Sequence, residues 1–215
     1  TSSTTSAYID LRTHTGFSFG DGATTPERLV MRARQLGYTS LGLTDTADLG
    51  AVPRFVTEAR TIAKDPDCRR AASHTEEPCP ICERPLRAIV GAELIVDGYP
   101  AAFLIRDERG CRNLAALLTC ARVGMWEEWD KVAQGKRRGH PQVTWEQLAA
   151  RSEGLHALTG PASGEIASLL RAGDEAGAEQ ALDRWRNVFG SRFALETQLH
   201  HVGGAEAMLA ASAIE

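Results

Sequence analysis

Thr25-Pro26-Glu27-Arg28-Leu29-Val30-Met31-Arg32-Ala33-Arg34-Gln35-Leu36-Gly37, followed after two residues by Ser40-Leu41-Gly42-Leu43-Thr44-Asp45, decides the fold class. Thr25 is placed to cap a helix, Pro26 fits its first position, and Glu27 suits the positive N-terminal end. Leu29, Val30, Ala33 and Leu36 recur at helical spacing and make one apolar face. Gly37 ends the helix. The run from Ser40 to Asp45 reads as a buried strand that finishes on an acid.

Working outward, the same alternation repeats. Upstream, Tyr8-Ile9-Asp10-Leu11 reads as a short strand. It runs into the polar stretch Arg12-Thr13-His14-Thr15 and the glycine-bearing loop Gly16 to Gly22. Downstream, helices are expected over 52–63, 112–122, 145–151, 163–172 and 175–188, with Thr144 capping the third of these. Strands are expected over 89–96, 101–105, 155–159 and 192–198. Asp97-Gly98 signals a hairpin between the first two. Alternating strands and helices predict an α/β fold with a mainly parallel sheet. His14, Asp45 and Glu196 stand just after strand ends, the edge where such folds build sites. Residues 64–87 and 124–143 interrupt the pattern and read as surface excursions; 1–7 reads as a flexible leader.

Composition sets outer bounds. The 215 residues are 43% hydrophobic and 24% charged, which excludes a mainly disordered or fibrous chain. Lys+Arg 24 against Asp+Glu 28 gives a formal charge of -4, no support for a dedicated nucleic-acid-binding module. No apolar run approaches the roughly 18 residues of a membrane span. Five cysteines, an odd number, argue against a secreted disulfide framework and for a cytoplasmic location.

The segment Leu11-Arg12-Thr13-His14-Thr15-Gly16-Phe17-Ser18-Phe19-Gly20-Asp21-Gly22-Ala23 resembles the first motif of the PHP (polymerase and histidinol phosphatase) family. Leu41-Gly42-Leu43-Thr44-Asp45 resembles the second motif, and Val90-Gly91-Ala92-Glu93-Leu94 the third. Arg106 to Leu114 and Ser152 to Gly160 are similar to segments of the PHP domain of bacterial DNA polymerase III alpha subunits. Trp145 to Ala149 and Leu195 to His200 point to the error-prone branch. The resemblance runs from about residue 8 to 215. It implies a distorted (β/α)7 barrel, with the family's last motif, Asp-x-His, lying past Glu215. It also implies a site for up to three metals that hydrolyses phosphoesters, in some polymerases as a 3′–5′ exonuclease. Such chemistry needs imidazoles and carboxylates that hold divalent ions to activate water.

Carried over position by position, much of that donor set is replaced. Where two histidines are expected, the chain has Arg12 and His14. Asp21 matches the acidic ligand, Asp45 the second-motif acid, and Glu93 the bridging glutamate. The histidine after Asp45 is Thr46, the one before the next strand is missing from Tyr99-Pro100-Ala101, and the donor after Thr159-Gly160 is Pro161. His200 matches a histidine near the barrel mouth, though by itself it reads sooner as a surface or hydrogen-bonded histidine. A guanidinium has no lone pair to donate. Within about 4 Å of a divalent ion it opposes that ion by several kcal/mol at an effective dielectric of about 20. Arg12 is expected to pair with Glu93 or Asp21 instead. Arg12, His14, Asp21, Asp45, Glu93 and His200 therefore read as a vestigial site, with no catalytic residue assigned and no catalytic divalent metal expected. A pocket taking phosphate through Arg12 and His14 is the alternative.

The excursion 64–87 carries Cys68, His74, Cys79 and Cys82 as Cys-x5-His-x4-Cys-x2-Cys. Cys79-Pro80-Ile81-Cys82 puts two thiolates on one tight turn, and with Cys68 and His74 they complete a closed structural zinc set. Free thiols, or a Cys79–Cys82 redox pair, are the other readings. Cys120, among apolar neighbours, is expected in the core. Lys136-Arg137-Arg138 reads as a solvated loop. Three functions compete. The first is a non-catalytic PHP domain of an error-prone DNA polymerase III alpha-like protein, a scaffold for polymerase domains or replication and repair subunits that meets DNA only through the parent protein. The second is a PHP phosphoesterase or exonuclease with a reduced metal set. The third is a zinc-knuckle interaction module.

Overall fold

The computed structural model describes residues 8–61, 86–127 and 141–196, with side chains to residue 123 in the second stretch. The chain divides at Gly91/Ala92 into two compact units.

The first unit holds helix α1 (Pro26–Gln35), strand β1 (Ser40–Leu43), helix α2 (Val52–Arg60) and the opening of strand β2 (Arg87–Val96). Thr25 caps α1 through Arg28 N, and Gly37 takes a positive φ at its end, as the sequence predicts. β1 pairs with β2 in parallel, from Ser40 opposite Arg87 to Leu43 opposite Val90. Val30, Ala33, Leu41, Leu43, Phe55 and Ala59 pack together as its core. Leu36 departs from the expected apolar face and stands exposed, because Gly37 turns the chain before that position reaches the core. Residues 8–11 form no strand. Two backbone bonds nevertheless lay this stretch beside β1, Gly42 N to Asp10 O at 2.7 Å and Thr44 N to Thr13 O at 3.0 Å.

In the second unit β2 continues, followed by β3 (Tyr99–Ile105), α3 (Glu108–Glu127), β4 (Gln142–Val143), α4 (Trp145–Ala149), β5 (Leu155–Leu158), α5 (Glu165–Arg171), α6 (Glu175–Phe189) and β6 (Phe193–Ala194). The order across this unit is β4-β2-β3-β5-β6. β4 runs parallel to β2 and β6 parallel to β5, while β3 and β5 are antiparallel. The sheet is thus mixed, parallel at β1–β2, β2–β4 and β5–β6 and antiparallel where β3 meets β5. Asp97 (φ 46) and Gly98 (φ 90) make the two-residue turn that reverses the chain between β2 and β3. The described strands are not closed into the expected (β/α)7 barrel.

α3 starts four residues earlier than its apolar periodicity suggests, because the Asp107 carboxylate accepts the Gly110 N–H at 2.8 Å and caps it. Its backbone runs to Glu127, so part of the expected excursion is helix, and β4 lies inside the other end. Cys120 is half-buried on α3 and not in the core, and Cys111 is exposed. Trp185 anchors the unit's interior, stacked near Phe103 and Phe189, with its indole N–H on Glu165 Oε2 at 3.0 Å. Among the described residues, no helix is long and apolar enough to cross a membrane.

Candidate functional site

The first-motif loop rises from the stretch beside β1. That stretch approaches so closely that a Cβ on Gly42 would sit 2.3 Å from the Leu11 carbonyl oxygen. The Thr13 hydroxyl donates to the Gly42 carbonyl, and the Arg12 N–H donates to Asp10 Oδ1 at 3.1 Å. Beyond it the chain turns back: Gly16 N donates to Thr24 O at 2.8 Å, and Gly22 lies against Thr15 with room for no side chain.

Asp45, at the end of β1, is 1% exposed and all three of its described donors come from this loop. Oδ1 accepts from Thr15 N and from Ser18 Oγ, both at 2.6 Å, and Oδ2 accepts from Thr15 Oγ1 at 2.7 Å. Ser18 Oγ in turn accepts the Thr46 N–H at 3.0 Å. A carboxylate this buried is retained because charge-assisted donors replace its lost water. His14 Nδ1 meets Asp21 Oδ2, an ion pair when the imidazole is protonated. The His14 side chain is mostly buried, while that of Asp21 faces solvent.

The expected site residues are therefore distributed as follows. His14, Asp21 and Asp45 gather on one loop and strand end of the first unit, and Arg12 lies on the stretch leading into it. Thr46 follows Asp45 and serves through its backbone. Glu93 is half-buried on β2 in the second unit, which also holds Tyr99, Pro100 and Ala101 on β3. Pro161 sits in the turn after β5, its carbonyl accepting Gly164 N at 2.7 Å. Cys68, His74, Cys79, Cys82 and His200 lie outside the described residues. Among the described residues, no group of three or more His, Cys, Asp or Glu is arranged to hold a metal ion.

Sequence reasoning passed over Thr15 and Ser18, which are 0% exposed and do most of the work on Asp45. The available signal was a pair of hydroxyls three apart inside an otherwise glycine-rich loop. It also passed over the role of the two polymerase-like segments. Arg106 N donates to Gly154 O at 2.9 Å, Asn113 Nδ2 to Glu153 O at 2.8 Å, and Arg109 pairs with Glu153. Gly110 and Gly154 touch so closely that a Cβ on Gly110 would lie 1.9 Å from the Gly154 oxygen. These segments lock α3 to the turn before β5; their role is packing.

Fold and site together define a mixed α/β protein that gathers acid, imidazole and hydroxyl groups where a strand end meets a glycine-rich loop. The model of the PHP domain matches residues 10–200, and the chain belongs to that family. It is 32% identical over 211 residues to an error-prone DNA polymerase of Anaeromyxobacter sp. (strain K), covering 95% of this chain and 15% of that protein. It is 30% identical over 208 residues to the error-prone DNA polymerase of Symbiobacterium thermophilum, covering 94% of this chain and 17% of the relative. For the enzyme of the same name from Mycobacterium bovis the figures are 32% over 182 residues, 82% and 14%. The chain thus spans about one-sixth or less of the length of these relatives. A crystal structure from Bifidobacterium adolescentis, of a protein proposed to be a metal-dependent phosphoesterase, aligns with TM-score 0.38 and 17% identity. That alignment covers 82% of this chain and 55% of the other, a likeness too weak to bear on mechanism.

Proposed function

We propose that this chain is a degenerate, non-catalytic PHP domain of an error-prone DNA polymerase, serving in the cytoplasm as a scaffold or docking domain. Its partners are polymerase domains of a longer polypeptide or replication and repair subunits, and DNA is met only through them. The observation that carries the reading is the use made of Asp45. Both of its oxygens are taken by Thr15 and Ser18, inside the protein. The residues present do not fit a multinuclear metal centre: Arg12 brings a fixed positive charge in place of a donor, and Thr46 and Pro161 stand where the resemblance puts two more. What remains supports a fold-holding role.

The test is an assay of the purified chain on a generic phosphodiester and on 3′-ended DNA with Mn added. The expected result is no turnover above that of a His14→Ala variant. Turnover in the parent chain that His14→Ala abolishes would contradict the proposal. The Cys-x5-His-x4-Cys-x2-Cys spacing separately favours a structural zinc on Cys68, His74, Cys79 and Cys82.

A further inference from the structure

We propose that the loop from Thr13 to Gly22, the stretch where the family resemblance puts metal donors, takes its shape from a hydrogen-bond hub on Asp45 and Ser18 and keeps that shape with no metal bound. This goes beyond the scaffold reading, which concerns turnover, because it says what gives the loop its shape.

Two forces compete to shape such a loop, apolar packing and polar anchoring. Apolar packing has little to offer here. Phe19 is wholly exposed, and Phe17, resting near Gly50, is 38% exposed. The buried side chains of the loop are polar instead: Thr15 and Ser18, both 0% exposed. Ser18 is the centre of the turn. Its hydroxyl joins Asp45 Oδ1 to Thr46 N, its N–H donates to Thr15 O at 2.9 Å, and its carbonyl accepts from Asp21 N and Gly22 N, both at 3.0 Å. Thr15 gives Asp45 both its N–H and its hydroxyl, and that hydroxyl also accepts Phe17 N at 3.3 Å. Gly22 is required where it is because a Cβ would fall 1.9 Å from the Thr15 carbonyl oxygen. Together these bonds tie down the backbone from Thr15 to Gly22, the segment that joins His14 to Asp21.

Amide hydrogen exchange on the full chain tests this, read at Thr15, Gly16, Ser18, Asp21, Gly22 and Thr46. Protection at these amides should be the same after chelation and after Mn or Zn is added back. Ser18→Ala, and Thr15→Val beside it, should speed exchange across the loop by about tenfold or more. Thr15→Ser, which keeps the hydroxyl, should stay close to the parent rate. Amides of β3 and α3 report whether each variant is folded, and the chelation comparison needs no variant at all. Loop protection that disappears on chelation while β3 and α3 stay protected, and returns with metal, would overturn the proposal. So would parent-rate exchange in the folded Ser18→Ala variant, or a Thr15→Ser variant as fast as Thr15→Val. The phosphodiester assay addresses the scaffold reading separately, so either idea can fail alone.

Discussion

Gly42 is the residue on which the first-motif stretch leans. Backbone approach there leaves no volume for a methyl group, since the Leu11 carbonyl carbon and oxygen lie 2.6 and 2.3 Å from where a Cβ would be. Gly42→Ala should therefore destabilise the first unit by about 2 kcal/mol or more, read by urea denaturation. An unchanged midpoint would mean the stretch can shift away at little cost. The residue scale also shows what a motif carries and what it leaves out. His14, Asp21 and Asp45 were legible because a motif names them by spacing. That Asp45 would be taken up by Thr15 and Ser18 was not legible. A hydroxyl's partner depends on the folded path of the loop, and the spacing of Thr15 and Ser18 marks the pair without naming the acid it binds.

Between elements, two contacts explain how the units hold. Arg54 on α2 forks onto Glu27 on α1, at 2.6 and 2.8 Å. The Arg54 hydrogen bond holds the Glu27 carboxyl below its usual range against the opposing effect of burial, with lesser help from the backbone and Thr25. A carboxyl with a depressed folded pKa adds stability that is fully present above the unfolded value near about 4.3 and is lost as pH falls through the folded one. The pair is partly exposed, so Glu27→Gln should cost at most about 1 kcal/mol at pH 7 and nothing measurable at the acid end. A loss that persists unchanged in acid would show the fork is not its source. In the second unit Gly110→Ala should break the lock between α3 and the turn before β5, lowering stability by about 1–3 kcal/mol. Thermal melting that matches the parent chain would contradict this.

Helices and the hairpin turn were legible at this scale through caps and periodicity. The start of α3 was not, because its cap, Asp107, stands ahead of the apolar repeat. The second partner of β3 was not legible either. The Asp97-Gly98 turn sets β3 against β2, as its sequence signals, and β3 then pairs with β5 in an antiparallel ladder. Alternating strand and helix segments do not say which strand β3 meets on its far side.

At the scale of the whole molecule, family membership rests on residues 10–200 and the relatives are several times longer than this chain. A domain that is a small part of a long polypeptide can be kept for its shape after its chemistry is lost, which is how the scaffold proposal accounts for Arg12, Thr46 and Pro161. The excursion with Cys68, His74, Cys79 and Cys82 belongs to the same scale, since a metal there would staple a segment too polar to build its own core. Elemental analysis should find about one zinc per chain, and Cys79→Ser with Cys82→Ser should remove it and lower the melting temperature. A zinc-free chain with an unchanged melting curve would refute that site. The central claim meets its most direct trial in anomalous diffraction from crystals grown with Mn or Zn. The account predicts no anomalous peak within coordinating distance of His14 and Asp21. Two or three metal peaks on those side chains would contradict it.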